Sequence, residues 1–191
     1  MTGWGSTEIR FRTLRHGDLS LLHRWLNAPH VLEWWDRPGP SYEQVVEKYS
    51  PRMLRTDGVH PYVILLESAP VGYLQVYDVE EGSPSASYLP AGVRAVGVDL
   101  FIGEAEYIHR GLGSRILRSF VDRVVFGQTN ADVCVIDPSE RNRIAIRAYE
   151  KAGFSHVATF QHPEEEDVTY LMQMRRPALG SGGDEPGAEA L

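Results

Sequence analysis

His109-Arg110-Gly111-Leu112-Gly113-Ser114 is the most informative stretch of this 191-residue sequence. It follows a strand predicted over 93–102 and opens a helix predicted to reach about Phe126. Successive glycines let backbone N–H groups converge on an anion, and the N-terminus of a helix adds positive potential. The order of strand, glycine turn and helix therefore suits a pyrophosphate.

Other glycine-rich phosphate loops do not match this turn. The dinucleotide fingerprint G-x-G-x-x-G fails because Ile116 occupies the third glycine position. The nucleotide-binding pattern G-x-x-x-x-G-K-[ST] does not occur. A plain tight turn before a helix explains the glycines about equally well, so the turn alone leaves both interpretations open.

The strand before the turn carries an ionisable residue inside an apolar run. One face holds Val96, Val98, Leu100 and Ile102, and the other holds Ala95, Gly97, Asp99 and Phe101. A carboxylate in such a strand is costly unless it is paired or hydrated, and functional sites are where such violations are expected. We expect Asp99 to be functional, with a structural aspartate bonded to a neighbouring arginine or to the backbone as the alternative, and Gly97 to leave room for a ligand.

Outward from this unit, the pattern of apolar residues and turn signals predicts the remaining elements. Strands are expected at 7–14, 62–66, 71–77, 93–102, 133–136, 154–161 and 168–174. Helices are expected after Asp18, over 41–56, after Gly111 and over 142–152. Pro51 is expected to interrupt or kink the second of these helices. A long loop is expected over 80–92. This order predicts an α+β (mixed α/β) domain over 1–176, followed by a disordered tail over 177–191.

Composition narrows the class of protein. The net charge of −7 argues against nucleic acid as a partner and is compatible with a cationic one. No apolar stretch approaches the roughly 20 residues of a membrane span, and residues 1–6 lack the features of a signal peptide, so we expect a cytoplasmic protein. Cys134 is the only cysteine and the histidines lack ligand spacing, so we expect neither an intrachain disulfide nor a metal site.

Two stretches in this order and separation resemble the acetyl-CoA-dependent N-acetyltransferases of the GNAT fold. The first is Ile108 to Gly113, similar to the family's pyrophosphate loop Q/R-x-x-G-x-G/A, although Ile108 replaces its usual polar residue. The second is Asn142 to Phe154, whose ending Tyr149-Glu150-Lys151-Ala152-Gly153-Phe154 resembles the family's late helix. The resemblance implies a central mixed, mostly antiparallel sheet flanked by helices, with acetyl-CoA as the acetyl donor.

Within that family the sequence is most similar to aminoglycoside 6′-N-acetyltransferases. The matching stretches are Trp25 to Asn27, His30 to Trp35, Gly72 to Tyr77, Gly97 to Asp99, and Asp137 to Ser139. This implies direct acetyl transfer, in a ternary complex, to the 6′-amino group of an aminoglycoside antibiotic, and thereby resistance. The loop over 78–92 does not resemble that subfamily, so the acceptor stays open.

The resemblance also implies roles for individual residues. Asp99 is the expected general base, and Tyr149 the expected acid for the departing thiolate. The expected acetyl-CoA contacts are Leu100, Phe101, Ile102, His109, Arg110, Gly111, Leu112, Gly113, Ser114, Arg115 and Asn142, where Asn142 caps the late helix or contacts the coenzyme. The expected acceptor contacts are Trp35, Gln75, Tyr77, Tyr88, Asp99 and Asp137.

Three alternatives remain open. A siderophore-pathway N-hydroxylysine acyltransferase shares the early aromatic segment, but such enzymes typically carry a histidine before the late helix, where this chain has 137–141 without one. Another small-amine or peptide N-acetyltransferase is a second possibility. A catalytically dead CoA-binding module is the third, and retention of both Asp99 and Tyr149 argues against it. The sequence is compatible with a monomer or a homodimer.

Overall fold

A computed structural model describes residues 7–35, 38–54, 56–161 and 167–178. Their strands form one seven-stranded sheet in the order β1-β2-β3-β4-β5-β7-β6. The strands are β1 (Ile9–Thr13), β2 (Val59–Leu66), β3 (Ala69–Asp78), β4 (Ala95–Ile102), β5 (Val133–Ile136), β6 (Ser155–Gln161) and β7 (Val168–Arg175). The main helices are α1 (Leu19–Leu26), α2 (Pro29–Leu32), α3 (Tyr42–Met53), α4 (Leu112–Phe120), α5 (Phe126–Gln128) and α6 (Arg143–Ala152). The mixed, mostly antiparallel sheet with flanking helices confirms the predicted fold class.

The sheet opens in its middle. All neighbouring strands are antiparallel except β4 and β5, whose parallel pairing covers Ala95–Gly97 and Val133–Val135. Strand β4 runs on to Ile102, still paired with β3 but no longer with β5. The second half of β4 has therefore separated from β5, which leaves a gap between the two strands.

Helices cover the two faces of the sheet unequally. The apolar sides of α4 and α6 pack on one face, against Val96, Val98 and Cys134. On the other face, α1 and α3 cover the first strands, and the loop between β3 and β4 covers β5 and β7. The central strip of that second face, which carries Gln75, Tyr77 and Asp99, lies between these two coverings, and we refer to it as the cleft.

Some local expectations were wrong in detail. Asp18 does not cap α1 with its side chain. Its carboxylate instead accepts hydrogen bonds of 2.6 and 2.8 Å from Arg12, because the 3₁₀ turn of residues 16–18 brings it against β1. Pro51 does not interrupt α3, which continues to Met53 because the proline lies in its last turns. The helix after the glycine turn changes to π geometry over Val121–Val125.

The late helix ends as predicted, with Gly153 in the left-handed region at φ 105°. None of the described helices is long and apolar enough to cross a bilayer. The tail predicted to be disordered lies outside the described residues from position 179 onward.

Candidate active site

Asp99 lies on the floor of the cleft. Strand β4 pairs with β3 so that Asp99 stands directly opposite Gln75, and the next pair on this face is Gly97 with Tyr77. The Gln75 amide donates a 2.7 Å hydrogen bond to Asp99, and the Tyr77 hydroxyl lies 3.5 Å from its other carboxylate oxygen. Asp99 lies in the half of β4 that has separated from β5, so the carboxylate borders the gap in the sheet.

The surroundings of Asp99 raise the pKa of its carboxyl group above that of an aspartate in water. Burial, and after it the nearby charge of Asp137, raise the pKa of Asp99 to about 6, although hydrogen bonds from Gln75 and Tyr77 and the charge of Arg52 oppose the rise. The carboxylate is therefore ionised at neutral pH, with a pKa close enough to neutrality for efficient proton exchange.

Tyr149 projects from α6 towards the same group of carboxyls. Burial raises the pKa of its hydroxyl, and the charges of Asp99 and Asp137 raise it further. Tyr149 is thus a protonated donor at neutral pH.

Asp137 reaches this group from the end of β5. Strand β7 positions the segment after it, because the backbone N–H of Tyr170 donates to the Pro138 carbonyl at 2.8 Å and Ser139 forms a β-bridge with Thr169. Three elements that are distant along the chain thus place Asp99, Asp137 and Tyr149 so that the charge of Asp137 raises the pKa of Asp99, and both carboxylate charges raise that of Tyr149.

Gly97 does not leave room for a ligand. A Cβ atom at this position would lie 2.4 Å from the ring of Tyr77, which occupies the space above the glycine. The glycine therefore lets the tyrosine lie flat across the strand and direct its hydroxyl at Asp99. The prediction of an open pocket at Gly97 is wrong because its cross-strand neighbour fills the space.

The glycine turn has the form that the sequence predicts. Gly111 adopts φ 72° and precedes α4, and no side chain caps this helix. Its first N–H groups therefore lack a side-chain acceptor, and a Cβ at Gly111 would meet nothing within 4 Å. Leu112 contributes only its backbone, since its side chain is buried in the core. His109, Arg110 and Gly111 are exposed, and Ser114 bonds to the Gly111 carbonyl at 3.1 Å.

Other expected coenzyme contacts also have partners within the protein. The Arg115 guanidinium donates to the Thr7 carbonyl at 3.2 Å, and His30 lies 3.0 Å from the Ile102 carbonyl. The Asn142 side chain accepts from the backbone N–H of Ala145 at 3.1 Å, so it caps α6. Their contacts with a coenzyme stay predictions.

The expected acceptor residues lie on both sides of the cleft. Trp35 packs edge-on against Phe101, with ring centroids 4.9 Å apart, whereas Trp34 is 40% exposed. Tyr88 stacks on Phe160 of β6, at 5.0 Å between ring centroids, and is 45% exposed. Trp35 is thus part of the cleft wall beside α1 and α3, and Tyr88 belongs to the loop on the opposite side.

Sequence reasoning missed Arg52 and Tyr73. Both donate to the side-chain carbonyl of Gln75, at 2.6 Å from Arg52 and 2.9 Å from Tyr73. A signal for Arg52 was present, because it lies three residues after Tyr49 and seven after Val45, the buried residues of α3. A cation on the apolar side of a helix is as unusual as a carboxylate in an apolar strand.

Comparison with known proteins identifies the family to which the chain is related. Residues 15–162 match the family model described as an acetyltransferase (GNAT) domain. An aminoglycoside N(6′)-acetyltransferase type 1 from Klebsiella pneumoniae is 35% identical over 174 residues, covering 88% of this chain and 84% of the relative. An N-hydroxyputrescine acetyltransferase from Acinetobacter baumannii is 29% identical over 153 residues, covering 80% of this chain and 71% of the relative.

Solved structures give the same result. A crystal structure of the aminoglycoside acetyltransferase AAC(6′)-Ib in complex with coenzyme A and kanamycin superimposes with a TM-score of 0.74 at 31% identity. The match covers 88% of this chain and 95% of that one. Acetyl-CoA is the acetyl donor of the matched family. This chain therefore belongs to the GNAT family of acetyltransferases.

Proposed function

We propose that this protein acetylates the 6′-amino group of aminoglycoside antibiotics, by direct transfer from acetyl-CoA in a ternary complex. The observation that carries it is that Asp99 lies in the half of β4 that has separated from β5, where the charges of Asp99 and Asp137 also act on the hydroxyl of Tyr149. The kinship with aminoglycoside N(6′)-acetyltransferases supports the choice of acceptor. Residues 1–176 act in this proposal as one catalytic domain, and the acetylated drug would no longer be an effective antibiotic.

Asp99 makes the acceptor nucleophilic. Aminoglycoside amines are largely protonated at neutral pH, and only the neutral amine attacks a carbonyl carbon. The ionised Asp99 binds the ammonium group and removes its proton, directly or through water. A pKa near 6 serves this role better than that of an exposed aspartate, because it lies closer to the working pH.

Tyr149 assists the leaving group. As the nitrogen–carbon bond forms and the carbon–sulfur bond breaks, its hydroxyl donates a proton to the sulfur. The ammonium nitrogen loses two protons in the reaction, of which one ends on the thiol and the other in solvent. The hydroxyl is protonated at neutral pH, so its proton is available for that step.

The turn before α4 holds the coenzyme in this proposal. Backbone N–H groups from Gly111 to Arg115 bind the pyrophosphate, with the side chains of His109 and Arg110 beside them. The separated edge of β4, over 100–102, binds the pantetheine arm. When bound, acetyl-CoA supplies an acetyl group already activated as a thioester. Most of the acceleration comes from holding the two substrates together.

The acceptor lies in the cleft across the face of the sheet. Asp137 and Asp99 pair with ammonium groups, while Trp35, Tyr77 and Tyr88 offer aromatic surfaces for sugar rings and cations. Gln75 contributes by holding Asp99.

A panel of amines tests the acceptor. Thiol release from acetyl-CoA is measured with kanamycin, tobramycin, spermidine, N6-hydroxylysine and N-hydroxyputrescine. We expect efficient turnover with the two aminoglycosides, and mass spectrometry with NMR to place the acetyl group on the 6′-nitrogen. Preferred turnover of a hydroxylamine would instead support the siderophore alternative, and coenzyme binding without turnover of any amine would support a catalytically dead module.

Changing Tyr149 to phenylalanine tests the proposed acid. Tyr149→Phe should lower kcat roughly tenfold or more while leaving the acetyl-CoA Kd nearly unchanged, because the hydroxyl acts only on the departing sulfur. Steady-state kinetics and calorimetry give the two values. A loss of affinity at unchanged kcat would make Tyr149 a binding residue.

A further inference from the structure

Arg52 lies outside the proposed catalytic cleft but contacts a residue that touches Asp99. It projects from the last turn of α3, with 14% of its side chain exposed. Its Nη1 donates to the side-chain oxygen of Gln75 at 2.6 Å, and its Nε lies 3.3 Å from a carboxylate oxygen of Asp57. The guanidinium also lies over the ring of Tyr49, 5.0 Å from the centroid.

The chemistry of these groups fixes which way the Gln75 amide points. A guanidinium has donors and no acceptor, so only the oxygen end of the amide can face Arg52. The Tyr73 hydroxyl donates to the same oxygen at 2.9 Å. Because the amide is planar, its NH₂ group is then directed at Asp99, where the 2.7 Å hydrogen bond forms.

The reverse orientation of the amide would be unfavourable at both ends. It would set the amide oxygen against the Asp99 carboxylate and the NH₂ group against the guanidinium. Gln75 is only 8% exposed, so neither group could turn to water instead. Arg52 therefore selects the orientation that stabilises ionised Asp99.

We propose that Arg52 is a positioning residue, which acts through Gln75 to hold Asp99 ionised and aimed at the acceptor amine. The inference deepens the proposed function and depends on it for the role of Asp99. Charged and titratable groups face Asp99 from each element packed around it. They are Tyr73 and Tyr77 from β3, Arg52 from α3, Asp137 from the end of β5 and Tyr149 from α6. Arg52 is the cation in this set, so its loss leaves Asp137 unopposed.

The test replaces Arg52 with methionine, which keeps a long apolar stem without the charge. The pKa of Asp99 is read directly by NMR titration of its carboxyl carbon, and the acid limb of kcat/KM is measured in parallel. We expect Arg52→Met to move both upward by about half a unit to one unit. Arg52→Lys, which keeps a charge without the planar fork, should restore much of the shift.

Two further variants check that the effect passes through Gln75 and comes from charge. Gln75→Leu combined with Arg52→Met should lower kcat by much less than the product of the single effects, because both break one chain of hydrogen bonds. Asp57→Asn removes the anion that partly neutralises Arg52, so it should move the Asp99 pKa downward. This second variant lies nearer the surface and keeps the proposal testable if Arg52→Met fails to fold.

Arg12→Met is the matched control, because Arg12 also forms a partly buried ion pair, with Asp18, but lies on β1, away from Asp99. It should leave the Asp99 pKa unchanged. An unchanged Asp99 pKa in Arg52→Met, or full additivity with Gln75→Leu, would overturn the proposal. Absence of acetyl transfer by the unmodified protein would instead contradict the proposed function, while the NMR titration would still report whether Arg52 acts on Asp99.

Discussion

Asp99 is a compromise between stability and chemistry. Its carboxylate lies in an otherwise apolar strand, and the energetic cost of ionising it there appears as a pKa of about 6. Hydrogen bonds from Gln75 and Tyr77 recover part of that cost without neutralising the charge. The residue is thereby kept basic enough to take a proton from an ammonium group.

Removing this charge should stabilise the protein while it impairs catalysis. Because the folded state raises the Asp99 pKa, it holds the proton more tightly than the unfolded state, and stability falls as pH rises from about 4 to 6. Above pH 6, Asp99→Asn should increase the free energy of unfolding by about 1–2 kcal/mol, a value reduced because the side chain is partly exposed. The same change should lower kcat about tenfold or more.

Urea denaturation at pH 8 and pH 4 measures the first effect, and thiol release the second. The gain in stability should shrink at pH 4, where Asp99 is protonated in the unmodified protein. A variant that is less stable at pH 8, or as active as the original, would contradict this account of Asp99.

The pH profile should report the same group. We expect kcat/KM to rise with pH through a midpoint near 6, as Asp99 loses its proton, and again at higher pH as the acceptor amine does. The limb near pH 6 should be absent from the residual activity of Asp99→Asn. If that limb persists unchanged in the variant, another group controls it.

At the scale of elements, we propose that the glycine turn before α4 serves both folding and coenzyme binding. A side chain at Gly111 would meet no neighbouring atom, but the residue adopts φ 72°, a backbone conformation that residues other than glycine rarely take. Gly113 lies in the first turn of α4, where a Cβ would make only an ordinary contact of 3.9 Å with Ala148. The first glycine is thus required by conformation, and we attribute the second to the approach of the pyrophosphate.

Alanine at each glycine should separate these reasons. Gly111→Ala should lower the free energy of unfolding by roughly 1–2 kcal/mol and weaken acetyl-CoA binding. Gly113→Ala should preserve stability but weaken binding, because the methyl group meets the coenzyme. Thermal melts and calorimetry distinguish the outcomes. Gly92→Ala, at a comparable φ of 77° in the loop before β4, is the control that should lose stability and retain affinity.

At the scale of the whole molecule, the cleft combines an acidic chain with aromatic walls. The net charge of −7 attracts cations over long range, and Asp99 with Asp137 concentrates negative potential on the cleft floor. The loop between β3 and β4 closes one side by packing Tyr88 on Phe160. Acceptors with several ammonium groups should therefore gain more from this field than acceptors with one.

The salt dependence of kcat/KM should differ between acceptors with several ammonium groups and acceptors with one. Raising NaCl from about 0.05 to 0.5 M should reduce kcat/KM for kanamycin severalfold, and much less for an acceptor with a single amine. Turnover of both at matched pH provides the measurement. Equal salt dependence for the two acceptors would show that the field of the protein does not contribute to their capture.

The sequence predicted most elements because their signals are local. Each of these signals involves only residues that are neighbours in sequence. They are the apolar spacing of α1, Gly153 at the end of α6 and the buried apolar run of β5. Predictions were less successful where a distant partner intervened. The Asp18 side chain does not cap α1 and instead accepts hydrogen bonds from Arg12, and Gly97 opens no pocket because Tyr77 covers it.

The sequence by itself thus determined the GNAT fold, the glycine turn and the identity of Asp99 and Tyr149 as candidates. Only the tertiary structure showed that Arg52 and Asp99, from a helix and a strand, meet on opposite ends of one glutamine amide. The physical reason is that these contacts join residues 23 and 24 positions apart, whose meeting depends on strand register and helix packing. Such distances leave no periodic pattern along the chain.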